Sequence, residues 1–183
     1  SKFLSLHGLA GVTAGLAALC GAAFAYFYLL RDPSMTDYTL RQEIMILLAD
    51  ALLVLAVSLG AGIWLSARKA RRDGNKLFSK STRRLLYSFG LPLMAGGLFC
   101  LIYLFKGDVR TVISATLIFY GLALVNAGQQ SYGEIRWLGI TEIILGLAAA
   151  AAARYGILFW SLGFGLCHIV YGLVMYVKYD RKK

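Results

Sequence analysis

Apolar residues fill six long stretches of this chain, and charged residues are concentrated in the short segments between them. A transmembrane helix needs about 20 predominantly apolar residues, and each stretch comes close to that length. The pattern therefore predicts an all-α, polytopic membrane protein with six transmembrane helices, and a single domain over residues 1–183. The predicted helices cover residues 8–30, 44–66, 85–105, 111–128, 137–153 and 156–177.

Composition supports the membrane class and excludes several others. Hydrophobic residues make up 59% of the chain and charged residues 15%, whereas a typical soluble domain is about 45–50% apolar. The net charge of +10 does not indicate nucleic acid, because the basic residues lie between apolar segments rather than on a soluble surface. The three cysteines lie inside apolar runs, so we expect small buried side chains, with no metal site and no cofactor.

Orientation follows from the lysines and arginines, which are retained on the cytoplasmic side. With the N-terminus inside, the cytoplasmic segments carry 1 + 8 + 1 + 4 = 14 basic residues, and the external segments carry five. The chain is therefore predicted to have both termini and the basic segment 67–84 in the cytoplasm, as a multi-pass protein of the inner (plasma) membrane.

A glycine pattern recurs along the chain. Gly-Leu or Gly-Ile pairs repeat at a spacing of seven residues in predicted helices one, three and five, and Tyr-Gly-Leu occurs in helices four and six. Small residues at such spacing let neighbouring backbones approach closely. The pattern predicts three repeated helical hairpins, formed by helices one and two, three and four, and five and six, although glycine is also common in unrelated membrane helices. The predicted packing positions are Gly8, Gly15, Gly90, Gly97, Gly139, Gly146, Gly121 and Gly172.

With these hairpins and motifs, the chain resembles the HdeD-like acid-resistance membrane proteins, a family that is also described as a domain of unknown function. The likeness covers most of helices three to six. It implies an inner-membrane protein connected with stress or acid tolerance, and it implies no catalytic residues. The chain departs from the family at residues 154–156, where Arg-Tyr-Gly replaces a proline between paired helices.

Ionisable residues inside a bilayer are functional candidates by default, and three lie within the predicted spans: Asp50, Glu142 and His168. Glu142 and His168 are each three residues after one glycine and four before another, which predicts that both lie on glycine-lined faces. Their predicted depths differ by about 5 Å or more, so direct contact between them is not predicted. Three interpretations stay open: a structural contact, a ligand or ion site, or a proton relay.

Asn126 lies near the inner end of helix four, at a depth similar to that of Glu142. It belongs either to an ordinary interfacial helix end or to a cytoplasmic vestibule beside Glu142.

The basic segment is the other candidate site. It contains one acid and eight basic residues, a composition typical of contact with anionic lipids at the cytoplasmic face. Membrane orientation alone would also account for the charge. The residues are Arg68, Lys69, Arg71, Arg72, Lys76, Lys80, Arg83 and Arg84.

Motifs of hydrolases, metalloproteases, thiol oxidoreductases and nucleotide-binding enzymes do not occur. We therefore expect first a small non-enzymatic inner-membrane bundle of binding or sensing type, whose partners are the bilayer, anionic lipids and a small-molecule ligand. The alternative is a transport component, either a small carrier or a substrate-binding subunit with an intramembrane polar site. A membrane enzyme is the third interpretation. A homo-oligomer and a partner membrane subunit both remain open, and no nucleic-acid partner is expected.

Overall fold

The computed structural model describes residues 8–30, 40–72, 80–129 and 133–180, and the described residues are helical apart from short turns. Five helices precede the last one: α1 (Gly8–Leu30), α2 (Leu40–Arg72), α3 (Lys80–Phe105), α4 (Val109–Gly128) and α5 (Gly133–Ala151). A short 3₁₀ turn (Ala153–Tyr155) leads into helix α6, which covers residues 156–180. Helix α6 changes pitch along its length: it is α-helical over Gly156–Trp160 and His168–Met175, and π-helical over Ser161–Cys167 and Tyr176–Asp180.

Five helical segments are long and apolar enough to cross a bilayer, namely Gly8–Tyr28, Gln42–Arg68, Arg83–Phe105, Val109–Gly128 and Ala153–Tyr179. This confirms a helical chain of membrane type. Helix α5 is not among them, because its 19 residues carry three charged side chains, Glu134, Arg136 and Glu142.

Helices α2 and α3 are longer than the apolar runs in the sequence. Helix α2 continues to Arg72 and α3 starts at Lys80. The two ends of the basic segment, which the sequence predicts as a loop, are therefore helical, and together they make up most of it. Lysine and arginine are good helix formers, and a helix need not end where the apolar run ends. Lys76 lies outside the described residues, and Arg68 lies 5.6 Å from the centroid of the Trp64 ring.

The helices pack in a chain of neighbours rather than as a closed ring. Helix α1 packs against α2 and α6, and α4 packs against α3 and α5, while α5 and α6 also meet. Helices α2 and α3 therefore lie at the two ends of the row. The most apolar stretch of α2 has no buried residue, and most large side chains of α3 are exposed. Such surfaces suit hydrocarbon, where apolar exposure carries no penalty.

Two helix pairs approach closely enough that only glycine fits. In the α4–α5 pair, a Cβ added at Gly121 would lie 2.6 Å from the carbonyl oxygen of Gly139, and one added at Gly139 would lie 2.7 Å from that of Gly121. In the α1–α6 pair, Gly8 and Gly172 approach each other in the same reciprocal way, at 2.5 and 2.6 Å. These four predicted packing glycines thus bring two pairs of backbones into contact.

The remaining predicted glycines divide into two groups. Gly15 lies against Ile169, and Gly146 lies against Ile118, in each case with 2.6 Å from an added Cβ to the isoleucine Cγ1. By contrast, no described atom lies within 4 Å of a Cβ added at Gly90 or Gly97 of α3, so the expectation that they pack against another helix stays a prediction. This face of α3 points away from α4, its principal neighbour.

Asp108 caps the N-terminus of α4. Its Oδ1 accepts a hydrogen bond from the backbone N–H of Thr111 at 3.1 Å, and its Oδ2 accepts one from the Thr111 hydroxyl at 2.6 Å. These hydrogen bonds, led by that of the Thr111 side chain, hold the pKa of Asp108 below its ordinary value of 3.8. The cap follows Gly107, whose φ of 76° favours glycine.

Replacing Asp108 with alanine is expected to lower stability in a pH-dependent way. Because the pKa is lowered in the folded state, the stabilisation is present above the ordinary pKa and is lost as the pH falls through the lowered value. The difference in unfolding temperature between wild type and Asp108→Ala should therefore be constant near neutrality and shrink in acid. Asp108→Asn is the control, because asparagine also caps helices well but does not titrate. A difference that stays constant into acid would contradict this account.

Candidate functional site

The polar core lies where helices α4, α5 and α6 meet. It consists of Tyr120 from α4, Glu142 from α5 and His168 from α6. Glu142 is fully buried and His168 is 6% exposed. His168 immediately follows the π-helical segment Ser161–Cys167, and such single-turn departures from α-helix are frequent at functional sites.

His168 is held by two hydrogen bonds. Its Nδ1 lies 3.0 Å from the carbonyl oxygen of Gly163, and its Nε2 lies 2.8 Å from the hydroxyl of Tyr120. A carbonyl oxygen only accepts, so Nδ1 carries a proton and donates it. In a neutral imidazole Nε2 then accepts the Tyr120 proton, and the ring tautomer is set by its two neighbours.

Glu142 lies beside His168, with 3.4 Å between Oε1 and Nδ1. Both carboxyl oxygens are buried, and neither makes a hydrogen bond within the described part of the chain. The 3.4 Å separation is within the range of an ion pair, but the Nδ1 proton is directed at Gly163. A carboxylate beside a neutral imidazole carries one negative charge, so one further proton makes the Glu142–His168 pair electrically neutral. Neutrality matters because an isolated charge in hydrocarbon costs several kcal/mol.

Gly163 makes room for the carboxyl group. A Cβ at this position would collide with Oε2 of Glu142 and would lie 2.7 Å from Cδ2 of Leu117. Sequence reasoning did not single out Gly163 or Tyr120 as site residues. For Tyr120 the only signal was the similarity of Ile-Phe-Tyr-Gly-Leu in α4 to Ile-Val-Tyr-Gly-Leu in α6, and there the pattern indicates the glycines, not the tyrosines, as packing positions. Gly163 lies in neither motif.

The structure brings two of the predicted candidates together and separates the other two. Glu142 and His168 are in contact, which their predicted depths left open, because depth counted along straight helices ignores the helix crossing and the π-helical segment. Asn126 instead donates from Nδ2 to the carbonyl oxygen of Ser88 in α3, at 3.0 Å. Asp50 lies in α2, which packs chiefly against α1.

The glycine faces also differ from the expectation for α6. Gly172 and Gly165 lie against α1, whereas the His168 ring contacts Tyr120 of α4 and Glu142 of α5. The π-helical turn, with more residues per turn than an α-helix, changes which positions share a face.

A second feature is an open cleft between α1, α2, the N-terminal end of α4 and the start of α6, which we call the four-helix cleft. It has a volume of about 1250 Å³ and mostly apolar walls, with charged side chains from Glu43, Arg110 and Arg154. A smaller part, about 170 Å³, contains Asp50 and Thr116 and extends to Leu104 of α3. The two parts share lining residues, so they adjoin each other.

Asp50 lies on the wall of the smaller part, beside Gly21 of α1. A Cβ added at Gly21 would lie 3.3 and 3.4 Å from its carboxylate oxygens. Asp50 makes no hydrogen bond or ion pair with any residue that the structure describes. It is therefore the charged group that a molecule in this part of the cleft would meet.

A series of neighbouring aromatic rings connects the cleft to the polar core. Trp160 lines the smaller part of the cleft, and its ring centroid lies 4.9 Å from that of Phe164. The Phe164 ring lies 5.0 Å from Tyr120 and 5.8 Å from His168. Glu142 and His168 themselves line neither part of the cleft, and among the described residues no group of acidic, histidine and cysteine side chains is arranged to hold a metal ion.

The fold and these sites define a helical protein of membrane type with a buried Glu–His–Tyr cluster and an open apolar cleft. No protein-family model matches the chain, and neither a curated protein nor a solved structure shows significant similarity to it.

Proposed function

We propose that this protein is a small non-enzymatic membrane bundle that binds an amphipathic molecule with an anionic headgroup in the four-helix cleft. The observation that carries the proposal is the cleft itself: a space of about 1250 Å³ with mostly apolar walls and charged side chains at one end. Ligand pockets are typically concave, mostly apolar and equipped with a few polar groups. Two of the three charged residues in the large part are arginines, and guanidinium groups pair well with phosphate and carboxylate.

The proposed topology has six spans, both termini in the cytoplasm and an inner-membrane location. Helix α5 is the sixth span, and its acidic residues have partners: Glu134 forms an ion pair with Lys178, and Glu142 lies beside His168. In this orientation the loop between α3 and α4 is external, so the cleft opens towards the outer leaflet, where a lipid-like molecule can enter from the side.

The geometry gives less support to the two alternatives. A carrier that moves substrate past Glu142 and His168 needs a passage to them, whereas Glu142 has no exposed surface. An enzyme needs a nucleophile or acid–base group facing its substrate, and the polar core does not face the cleft. The resemblance to acid-resistance proteins adds one expectation, that the bound molecule relates to stress tolerance.

The ligand proposal predicts that purified protein carries a co-purified amphiphile that a cleft-filling variant loses. Ala23 of α1 lines the large part of the cleft, so Ala23→Trp should displace the molecule seen by mass spectrometry of the extracted protein. Ala150→Trp is the matched control, because Ala150 of α5 is also exposed but lines neither part of the cleft.

Binding of a spin-labelled fatty acid supplies the second measurement. Arg154→Gln should weaken it roughly two- to five-fold, since an exposed ion pair is worth up to about 1 kcal/mol, while a zwitterionic analogue should be less affected. Equal occupancy of the amphiphile in Ala23→Trp and Ala150→Trp would refute binding in the cleft. Equal losses for the two probes in Arg154→Gln would refute the anionic headgroup.

A further inference from the structure

The two close helix pairs of this bundle use the same contacts at corresponding positions. In α4–α5, Gly121 lies against Gly139, and Gly146 lies against Ile118, three residues before Gly121. In α1–α6, Gly172 lies against Gly8, and Gly15 lies against Ile169, three residues before Gly172. A further contact matches as well. A Cβ added at Gly139 would meet the backbone nitrogen of Val125, four residues after Gly121, and a Cβ added at Gly8 would meet the backbone nitrogen of Tyr176, four residues after Gly172.

Helices α2 and α3 carry the residues for a third pair of this kind. Gly90 and Gly97 in α3 have the seven-residue spacing of Gly139 and Gly146. In α2, Gly60 and Gly62 also face open space within 4 Å. Among the described residues, both helices thus present a glycine face without a neighbouring helix, whereas the corresponding faces of α1, α4, α5 and α6 are covered by another helix.

Chain connectivity sets the register of the third pair. Helices α4 and α5 are consecutive, and the contacting glycines 121 and 139 are centred on residue 130, since (121 + 139)/2 = 130, within the connection 129–132. Helices α2 and α3 are also consecutive, and Gly62 and Gly90 are centred on residue 76, since (62 + 90)/2 = 76, the middle of the connection 73–79. An antiparallel hairpin therefore places Gly62 opposite Gly90. The same register places Leu59, three residues before Gly62, opposite Gly97.

We infer that α2 and α3 of the same chain form a third glycine-mediated pair, in which Gly62 packs against Gly90 and Leu59 packs against Gly97, so that the row of helices closes into a ring. The structure then represents the open arrangement of a bundle with three equivalent helix pairs. Residues of both α2 and α3 line the smaller part of the four-helix cleft. Closure narrows that side of the cleft, so the α2–α3 gap is its lateral entrance from the bilayer.

Cysteine cross-linking in membrane vesicles tests the pairing without reference to any ligand, so its outcome is independent of the proposed function. In α4–α5, a Cβ at Gly146 would lie 3.0 Å from Cβ of Leu117, and the corresponding α2–α3 positions are Ser58 and Gly97. After replacement of Cys20, Cys100 and Cys167 by alanine, Ser58→Cys/Gly97→Cys should lose both free thiols on mild oxidation. A disulfide requires Cβ atoms about 3.5–4.5 Å apart, and in the open arrangement no atom lies within 4 Å of a Cβ at residue 97.

Two control pairs calibrate the result. Leu117→Cys/Gly146→Cys reports the rate of cross-linking across a pair already in contact, and Val57→Cys/Gly97→Cys moves one thiol about 100° around α2. An intramolecular disulfide in Ser58→Cys/Gly97→Cys, at a rate near that of the contact pair and well above the offset pair, supports closure.

Both other outcomes overturn it: a disulfide between two chains assigns the glycine faces to a second copy, and retention of free thiols shows that α2 and α3 do not pair. Elution of the variant at the same position as wild type confirms that it folds. Gly97→Cys should permit folding, because position 97 faces open space among the described residues.

Discussion

Gly139→Ala is expected to destabilise the protein by about 1–3 kcal/mol, the usual effect of inserting a methyl group into a closely packed contact. The new Cβ would lie 2.7 Å from the carbonyl oxygen of Gly121 and 2.8 Å from the backbone nitrogen of Val125. Both are backbone atoms, which cannot move aside without separating α4 from α5. The loss should appear in unfolding by denaturing detergent in mixed micelles, as a lower midpoint.

The matched control for this effect is Gly133→Ala on the same helix. No atom that the structure describes lies within 4 Å of a Cβ added at Gly133. The variant should therefore unfold like wild type or slightly later, because alanine favours the helix by up to about 1 kcal/mol over glycine. Gly8→Ala should resemble Gly139→Ala, since its Cβ would lie 2.5 Å from the carbonyl oxygen of Gly172. Equal stability of Gly139→Ala and Gly133→Ala would show that the α4–α5 backbones are farther apart than described.

His168→Ala is expected to cause the largest loss among polar substitutions, about 2–6 kcal/mol, because it leaves the Tyr120 hydroxyl and the Gly163 carbonyl without their hydrogen-bond partner, at about 1–3 kcal/mol each. The substitution leaves Glu142 at zero exposure without its neighbour, and Tyr120 without its acceptor. Tyr120→Phe removes a single hydrogen bond and should cost only about 0.5–1.5 kcal/mol. Detergent unfolding midpoints of the three proteins provide the comparison.

A double-mutant cycle separates the loss of the pair from the loss of packing. Glu142→Gln preserves the shape of the side chain, so it should leave a structural site largely stable, whereas it should abolish any pH-linked activity that depends on proton relay. Glu142→Gln/His168→Ala should be less destabilised than the sum of the single variants, because the uncompensated carboxyl group is gone. Strict additivity would mean that Glu142 and His168 do not interact in the folded protein.

The helix pairs illustrate how far glycine spacing alone can be interpreted. The seven-residue spacing predicted packing faces on α1, α3 and α5 alike, since it places both glycines on one side of a helix. It did not distinguish the covered faces at Gly8 and Gly139 from the open face at Gly90. That distinction depends on where a second helix lies, which local spacing does not encode.

The polar core shows the same division between local and tertiary information. Glu142 and His168 are identifiable from sequence, because ionisable side chains are rare inside apolar runs. Their contact was not predicted, since it depends on how α5 and α6 cross and on the π-helical turn before His168. Tyr120 and Gly163 escaped notice for a related reason: tyrosine and glycine are common in this chain, with 11 and 20 copies, and only proximity to His168 or Glu142 distinguishes these two.

Amino-acid sequence by itself determined that the chain is helical and of membrane type, because the length and apolarity of a helix are local properties that hydrocarbon selects directly. It also identified which ionisable residues lie within the apolar segments. Tertiary structure alone decided that Glu142 meets His168 and Tyr120, that Asn126 turns instead to Ser88, and that a cleft opens beside Asp50. These outcomes depend on distances between residues far apart in the chain, and those distances are set by how closely helix backbones can approach.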